Sequence, residues 1–424
     1  MKYPVWLLLL TLVVGCNQKS KFKTDSKDYE LYLSTASNST TSKYFELWNN
    51  KIKPDSLQAL GLGNVAAEYS RFFTGTGNIT YLKKAEEALS KAVEVAAIGK
   101  AAYYRALARN YISQHRFKEA LTLAELALKK GSGVNASHGL LFDLHMELGN
   151  YNTASKYLDS IRNMSDFGYL IRLAKWNDYK GNLDTTIRLM EKAINKAESS
   201  KNRQLMLWSY TNLADYYGHA GRIQESYEHY LKALKIDSKN AYAKKGIAWI
   251  VFSHEKDGAE ALRILNAITQ THTLPDYHLL RAEIAEFMND DALKKSALNA
   301  YHKSIQDKSY GAMYNAYTIN LYLDELQAFD RALELAKKEV ENRPTPESFD
   351  MLAYSYLKKG EPEVALELAQ NHVVGKTQEP VILQHLAEIY KANGKTKEVQ
   401  ELKKELLEAL YELGPNASKK VGML

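Results

Sequence analysis

The chain has 424 residues, 45% hydrophobic and 25% charged, and carries a formal net charge of +6 from 56 Lys and Arg against 50 Asp and Glu. That mild excess is spread over a long surface with no basic tract dense enough to follow phosphates, so no nucleic-acid partner is expected. A single Cys excludes an internal disulfide, and 29 Tyr suit thin helical layers in which a ring lodges between helices while its hydroxyl reaches water.

Taken in chain order, the first element is an export signal. Lys2 supplies a positive start, and Val5 to Val14 form an apolar run too short to span a bilayer and suited to the core of a signal peptide. The run ends in Val13-Val14-Gly15-Cys16, which resembles the lipobox of bacterial lipoproteins. The resemblance implies removal of residues 1–15 and acylation of Cys16 by chains such as palmitate, each buried methylene contributing about 0.8 kcal/mol of membrane affinity. Asn17 is not the Asp that favours inner-membrane retention in many enteric bacteria, so the expected site is the outer membrane, facing the periplasm. An exported protein also rarely meets nucleic acid.

Residues 16–43 are polar and rich in Ser, Thr and Lys, which predicts a flexible tether. A strand over Tyr29 to Leu33 is the weaker alternative. Ordered structure is expected from Tyr44, with Phe45, Leu47 and Trp48 close together. Pro54 should start a helix carrying Leu57, Leu60, Tyr69 and Phe72, and residues 44–100 make an atypical first repeat.

Over residues 101–412 one spacing dominates, a twelve-residue gap between two positions that are small in most copies. It runs Ala108 to Ala120, Phe142 to Ala154, Ala174 to Thr186, Ala214 to Ser226, Asn320 to Ala332, Ala353 to Ala365 and Ala387 to Val399. With Ala248 and Ala282 included, the first members recur about every 34 residues. Small residues at paired positions let two helix backbones approach, and Leu and Tyr at helical spacing form the buried stripe. Gly149, Gly181, Gly221, Gly360 and Gly394 fall where the first helix of each unit must stop. Two departures stand out: the second Ala slips by one to Ala261 after Ala248, and the helix around Ala297 is expected to carry extra residues. The final helix is expected to be a polar cap, and residues 413–424 a frayed tail.

These units resemble the tetratricopeptide repeat (TPR) family over roughly residues 65–412. Leu107-Ala108, Tyr111, Phe117, Ala120 and Ala127 form one good copy, and Leu352-Ala353, Tyr356, Gly360, Ala365 and Ala369 another. Pro344 stands where the family prefers Pro after the second helix, whereas Ser132 and Ser238 depart from it. The resemblance implies an all-α, right-handed α-solenoid of about nine to ten helical hairpins, which overrides the two or three domains that length alone suggests.

A search for chemistry returns little. Gly75-Thr76-Gly77 lacks the Lys-Ser/Thr of a phosphate loop, and Gly131-Ser132-Gly133 reads as an inter-repeat turn. His138 with His145, and His272 with His278, each lack a third metal ligand. No enzyme activity, cofactor or metal is expected. In TPR arrays the first helix of each hairpin lines a concave groove, which implies a binding surface that includes Arg105, Arg109, Arg172, Lys175, Asn212, Asp215, Trp249 and Phe252. Arg, Lys and Asn in such places hold peptide carboxylates in family members, although the family's clamp pattern is not reproduced here. A solvated helix face gives the same charges, and core packing explains Trp249 and Phe252 equally well.

The function this reading favours is a lipid-anchored scaffold that recruits a protein or peptide partner in the bacterial envelope. TPR lipoproteins of this kind support outer-membrane assembly, pilus assembly and secretion. The alternative is a glycan-binding outer-membrane lipoprotein of the starch-utilisation type, which would add a large non-repeat half that this sequence lacks.

Overall fold

The computed structural model describes residues 22–33, 39–52 and 57–424. Cys16 and Pro54 lie outside the described residues. The described residues form α-helices with short 3-10 and π segments and no strand.

Two short helices come first, α1 (Ser26–Tyr29) and α2 (Lys43–Asn49). Ten hairpins follow: α3 (Ala59–Thr76) with α4 (Ile79–Val95), α5 (Lys100–Ser113) with α6 (Phe117–Lys129), α7 (Val134–Glu147) with α8 (Tyr151–Ser160), α9 (Phe167–Tyr179) with α10 (Leu183–Ser199), α11 (Arg203–His219) with α12 (Ile223–Ile236), α13 (Ala241–Trp249) with α14 (Gly258–Thr269), α15 (Asp276–Phe287) with α16 (Asp291–Ser304), α17 (Asn315–Asn320) with α18 (Phe329–Asn342), α19 (Pro346–Lys359) with α20 (Pro362–His372), and α21 (Pro380–Ala392) with α22 (Thr396–Glu408). The chain then makes α23 (Leu410–Leu413) and α24 (Ala417–Gly422). This is an all-α solenoid of TPR-like hairpins.

The helices start where short polar side chains hold the first free amides. Asp166 accepts from the Tyr169 amide, Asn240 from Ala243, Asp257 from Glu260 and Thr345 from Ser348. Each hairpin then turns on one residue in the left-handed region. Six are Gly, and the other four are His115, Lys256, Asn289 and Gln327. Between the paired helices, Ala108, Ala120, Ala214, Ala353, Ala365 and Ala387 are fully buried. A Leu at Ala353 would overpack this contact at a cost of about 1–3 kcal/mol.

The structure explains the irregular spacings. After Ala248, α13 runs on as a π segment over Ile250–His254, with the Glu255 amide bonding the Ile250 carbonyl at 3.3 Å. One residue is thereby inserted, which produces the slip to Ala261. Hairpin eight carries the same insertion over Leu321–Glu325, where the Ala328 amide reaches the Tyr322 carbonyl at 2.8 Å, just as Asp257 reaches Val251. The residue packed opposite Ala332 is therefore the fully buried Ile319, not Asn320. In hairpin seven the second helix has no extra residue. The position of the small partner is taken by Lys294, whose ammonium reaches Glu286 at 3.0 Å and Glu325 at 2.9 Å.

Successive turns of the solenoid touch along a seam. The Thr273 amide bonds the Thr76 carbonyl at 2.8 Å, and Ile79 and Leu82 pack with Tyr301, Tyr310 and Tyr314. Further along, Asn342 reaches the His115 carbonyl at 3.2 Å, Arg343 pairs with Glu147 at 3.5 Å, and His219 meets Glu412 at 2.5 Å. Turns of hairpins one to five thus abut loops about six hairpins later, so the concave groove is a walled lumen.

Two expectations are corrected. Residues 22–33 are not a flexible tether or a strand. They form α1 and a 3-10 turn over Glu30–Tyr32, docked on hairpins five and six. Tyr29 is only 2% exposed, with its hydroxyl 2.7 Å from Glu260, and Tyr227 donates to the Asp25 carbonyl at 3.1 Å. Glu30 takes a forked contact from Arg263 at 3.1 and 2.7 Å. Polar composition hid three apolar anchors here, Phe22, Tyr29 and Leu33, which share one core with α12 and α14. Nor does the C-terminus fray: Ala417 and Val421 are buried, Val421 against Ala387 and Leu406.

Candidate partner-binding lumen

The first helices of hairpins two to five, joined by Met190 of α10, enclose a cavity of ≈ 580 Å³. Its floor is apolar, built from Ile112, Leu140, Ile171 and Met190, and its rim carries Arg109, Asp143, Arg172, Lys175, Asn212 and Trp208. Helical spacing brings these together because each lies on the face of its helix opposite the second helix of the hairpin.

Most of the charges on this wall are already committed. Arg172 donates to the Gly139 carbonyl at 2.9 Å, the Gly168 carbonyl at 3.0 Å and Asp143 at 2.6 Å. Lys175 bonds Glu147 at 2.8 Å. Burial alone would lower the Lys175 ammonium, and Glu147 with Asp143 more than reverses that, holding it above the usual value. Burial would likewise raise Glu147, but Lys175 and Arg343 keep it below the usual carboxylate range. Asp178 is different: burial pushes its carboxyl up, only partly offset by His219 and Tyr216.

Arg109 stands apart. Among the described residues its guanidinium makes no hydrogen bond or ion pair, and it lines the lumen exposed to water. Burial, followed by the repulsion of Arg172, makes its charged state more costly than in open solvent. An arginine stays protonated regardless, and Asp143 offsets only part of this cost, so the position favours an anion.

The remaining expected residues fall elsewhere. Arg105 bonds the Ser132 carbonyl at 2.8 Å and the Ser137 hydroxyl at 3.1 Å, so it fastens the loop between hairpins two and three. Asn212 returns its amide to the Trp208 carbonyl at 2.7 Å. Asp215 accepts from the hydroxyls of Tyr230 and, at 2.6 Å, Tyr242, and burial pushes its carboxyl up. Phe252 does not face the groove at all. The inserted residue in α13 turns it into the core, where it is 0% exposed and edge-on to Phe287. Trp249 is partly buried and covered by the backbone at Gly414.

Sequence reading missed the exposed rings, namely Trp208 at 42%, Tyr242 at 55% and Tyr317 at 46%. A signal existed for two of them, since Trp208 and Tyr242 each stand six residues before the small residue of their repeat, Ala214 and Ala248. A second cavity of ≈ 550 Å³ lies at the seam and shares Glu147, Lys175 and Asp178 with the first. Among the described residues no group of three or more His, Cys, Asp or Glu could hold a metal ion, and no helix is long and apolar enough to cross a membrane.

No protein family and no curated relative matches the chain. Among solved structures it is similar to a human IFIT1 dimer with PPP-AAAA, at 15% identity over 73% of this chain and 71% of that one, with a TM-score of 0.45. It is similar to a Rap protein complexed with Competence and Sporulation Factor, at 14% identity over 62% and 80%, with a TM-score of 0.45. A third likeness is to a tetratricopeptide repeat protein from Parabacteroides merdae, at 15% identity over 58% and 93%, with a TM-score of 0.39. At these identities the likeness concerns how helical hairpins stack, and the ligands of those proteins are not carried over.

Proposed function

We propose that this chain is an interaction scaffold that takes an extended segment of a peptide or protein partner into its lumen. The supporting observation is the unpaired Arg109 guanidinium set beside an apolar floor and the exposed Trp208 ring in one cavity. A carboxylate next to a bulky apolar side chain satisfies both features, and the water-facing Trp is the kind of residue that anchors interfaces. The lipobox at Val13 to Cys16 supports the further reading that acyl chains on Cys16 hold the scaffold to a bacterial envelope membrane, and Asn17 favours the outer membrane. The glycan-binding alternative would draw on Trp208, Tyr242 and Tyr317. These rings sit on the repeat helices themselves, and the described residues form no separate domain to hold a sugar site, so the peptide reading is preferred.

The test is photo-crosslinking in the native host from positions 109 and 208, with the convex positions Lys192 and Glu228 as controls. A discrete partner trapped from the lumen positions is expected. Adducts from the convex positions alone would sink the lumen reading. For the anchor, a Cys16→Ser variant should lose fatty-acid labelling, and retained label would remove the lipoprotein reading.

A further inference from the structure

The C-terminal segment crosses from hairpin ten to hairpins five, six and seven and makes contacts with each. The Tyr411 ring lies on Gly218 of α11, so close that a Cβ there would stand 3.0 Å from the ring. Glu412 pairs with His219 at 2.5 Å. Ser253, in the π segment that extends α13, donates to the Tyr411 carbonyl at 2.6 Å. The backbone then passes between Trp249 and Glu283 at Gly414, and Asn416 donates to the Glu283 carbonyl at 2.9 Å. Gly414, at φ 79° and ψ 165°, occupies a conformation open essentially to Gly alone.

Three features make this path resemble a bound peptide more than a cap. The contacts run in order from hairpin five to hairpin seven, beginning from the single helical turn of α23, in the way a ligand crosses a solenoid. They combine side-chain recognition of a ring, a carboxylate and, at the Glu283 carbonyl, the Asn416 amide with main-chain recognition by Ser253. Trp249 and Glu283 also hold equivalent places in their repeats, one residue after Ala248 and Ala282, on the lumen side. Burial beneath the segment, with Glu286 nearby, raises the Glu283 carboxyl to about 7.

We propose that the lumen-side edge of hairpins five to seven is a second peptide site, filled in cis by residues 409–416. In trans it takes a segment with an aromatic residue followed by an acidic one and a Gly-Pro-type bend. The ring occupies the notch at Gly218, the carboxylate meets His219, the main chain is held by Ser253, and the Glu283 carbonyl takes a side-chain amide. This site shares no residue with the Arg109 cavity and does not depend on what fills it. In the intact chain the tethered segment competes at high effective concentration, so an outside peptide binds only when the segment is displaced.

The test uses the full chain and a fluorescein-labelled peptide of residues 409–417. Gly414→Ala strains the segment and drives its new Cβ against Glu283 and Trp249 while leaving every groove residue unchanged, and Tyr411→Ala empties the notch by a separate route. Both variants should bind the labelled peptide at least tenfold more tightly than the parent, and adding His219→Ala to either should reverse the gain. Hydrogen exchange reports whether the segment has been released. If its amides exchange freely in both variants and the peptide still does not bind, the groove is not a peptide site. If they remain protected in both, the segment is a fixed part of the fold. Either result overturns the proposal.

Discussion

The carbonyl oxygen of Pro344 lies 2.6 Å from the point that a Cβ on Gly149 would occupy, so hairpin three meets the loop before hairpin nine backbone to backbone. Gly149 has φ +70°, whereas Gly360, at φ +91° in another hairpin turn, has nothing within 4 Å of its Cβ position. Replacing each by Ala separates two costs. Gly360→Ala should lose only the left-handed preference, about 1–2 kcal/mol. Gly149→Ala should lose clearly more and should speed amide exchange around 342–346. Equal losses in chemical denaturation would mean that the seam at this point is loose.

The four non-glycine turn residues invite the reverse substitution. Gln327 holds φ +50° in the turn of hairpin eight. Gln327→Gly should raise stability by roughly 0.5–1 kcal/mol, less whatever the looser unfolded chain gives back. A shift in the urea midpoint at constant slope would register it.

Two arginines a few ångströms from the same cavity should behave oppositely. Arg172→Ala removes three hydrogen bonds and leaves Asp143 without its partner, so it should cost about 2–3 kcal/mol of stability. Arg109→Ala removes no bond and should change stability by less than about 0.5 kcal/mol while weakening partner capture. Thermal melts of the two variants beside a crosslinking yield would separate the structural residue from the binding one.

Tyr29→Ala should free the docked N-terminal segment. The change removes a buried ring and its bond to Glu260, at a cost of about 3–5 kcal/mol if the site does not collapse. Amides of residues 24–33 should then exchange fast while those of α12 and α14 stay protected. Retained protection at 24–33 would show that the segment is held by something other than Tyr29.

The seam should weaken in mild acid through His272. Its Nε2 bonds the Thr74 carbonyl at 3.1 Å and its Nδ1 meets the Tyr277 hydroxyl at 3.0 Å, while burial holds its pKa below the usual 6.5. The unfolded chain therefore takes up this proton first, and stability falls as pH drops below 6.5 toward the lowered folded value. His219 runs the other way: burial would lower it, but Glu412, Asp215 and Glu379 raise it, so its contribution is present at low pH and fades as pH rises through the raised value. Denaturation of the parent and of His272→Gln from pH 8 to 5 should show a smaller acid loss in the variant. Parallel curves would remove His272 from the account.

Local repetition was legible in the sequence because each hairpin is built from contacts within a few dozen residues, and Ala108 to Ala120 or Ala353 to Ala365 writes that contact as a fixed spacing. The insertion after Ala248 showed as a slip for the same reason. Its twin in hairpin eight was masked, since Asn320 happens to stand twelve residues before Ala332 while the buried residue is Ile319. Extra residues around Ala297 were expected because Lys294 stands in a small-residue place, held by ion pairs with Glu286 and Glu325 that no spacing rule connects. The seam left no trace, since Thr76 and Thr273 are joined only by where the solenoid winds. For the site, the charges on the lumen face could be listed from sequence. Which of them were free could not, because Arg172 and Arg105 are used up by carbonyls of neighbouring repeats.

A stack of repeats that touch only their neighbours unfolds piecemeal from its ends, each unit melting with the strength of its own interfaces. Here Thr76 is bonded to Thr273, His115 to Asn342 and His219 to Glu412, so the terminal hairpins are not free ends. Winding the chain onto itself gives every early hairpin a partner about six places later. Melting should therefore be one sharp cooperative event, with calorimetric and van't Hoff enthalpies in agreement, as in a globular domain.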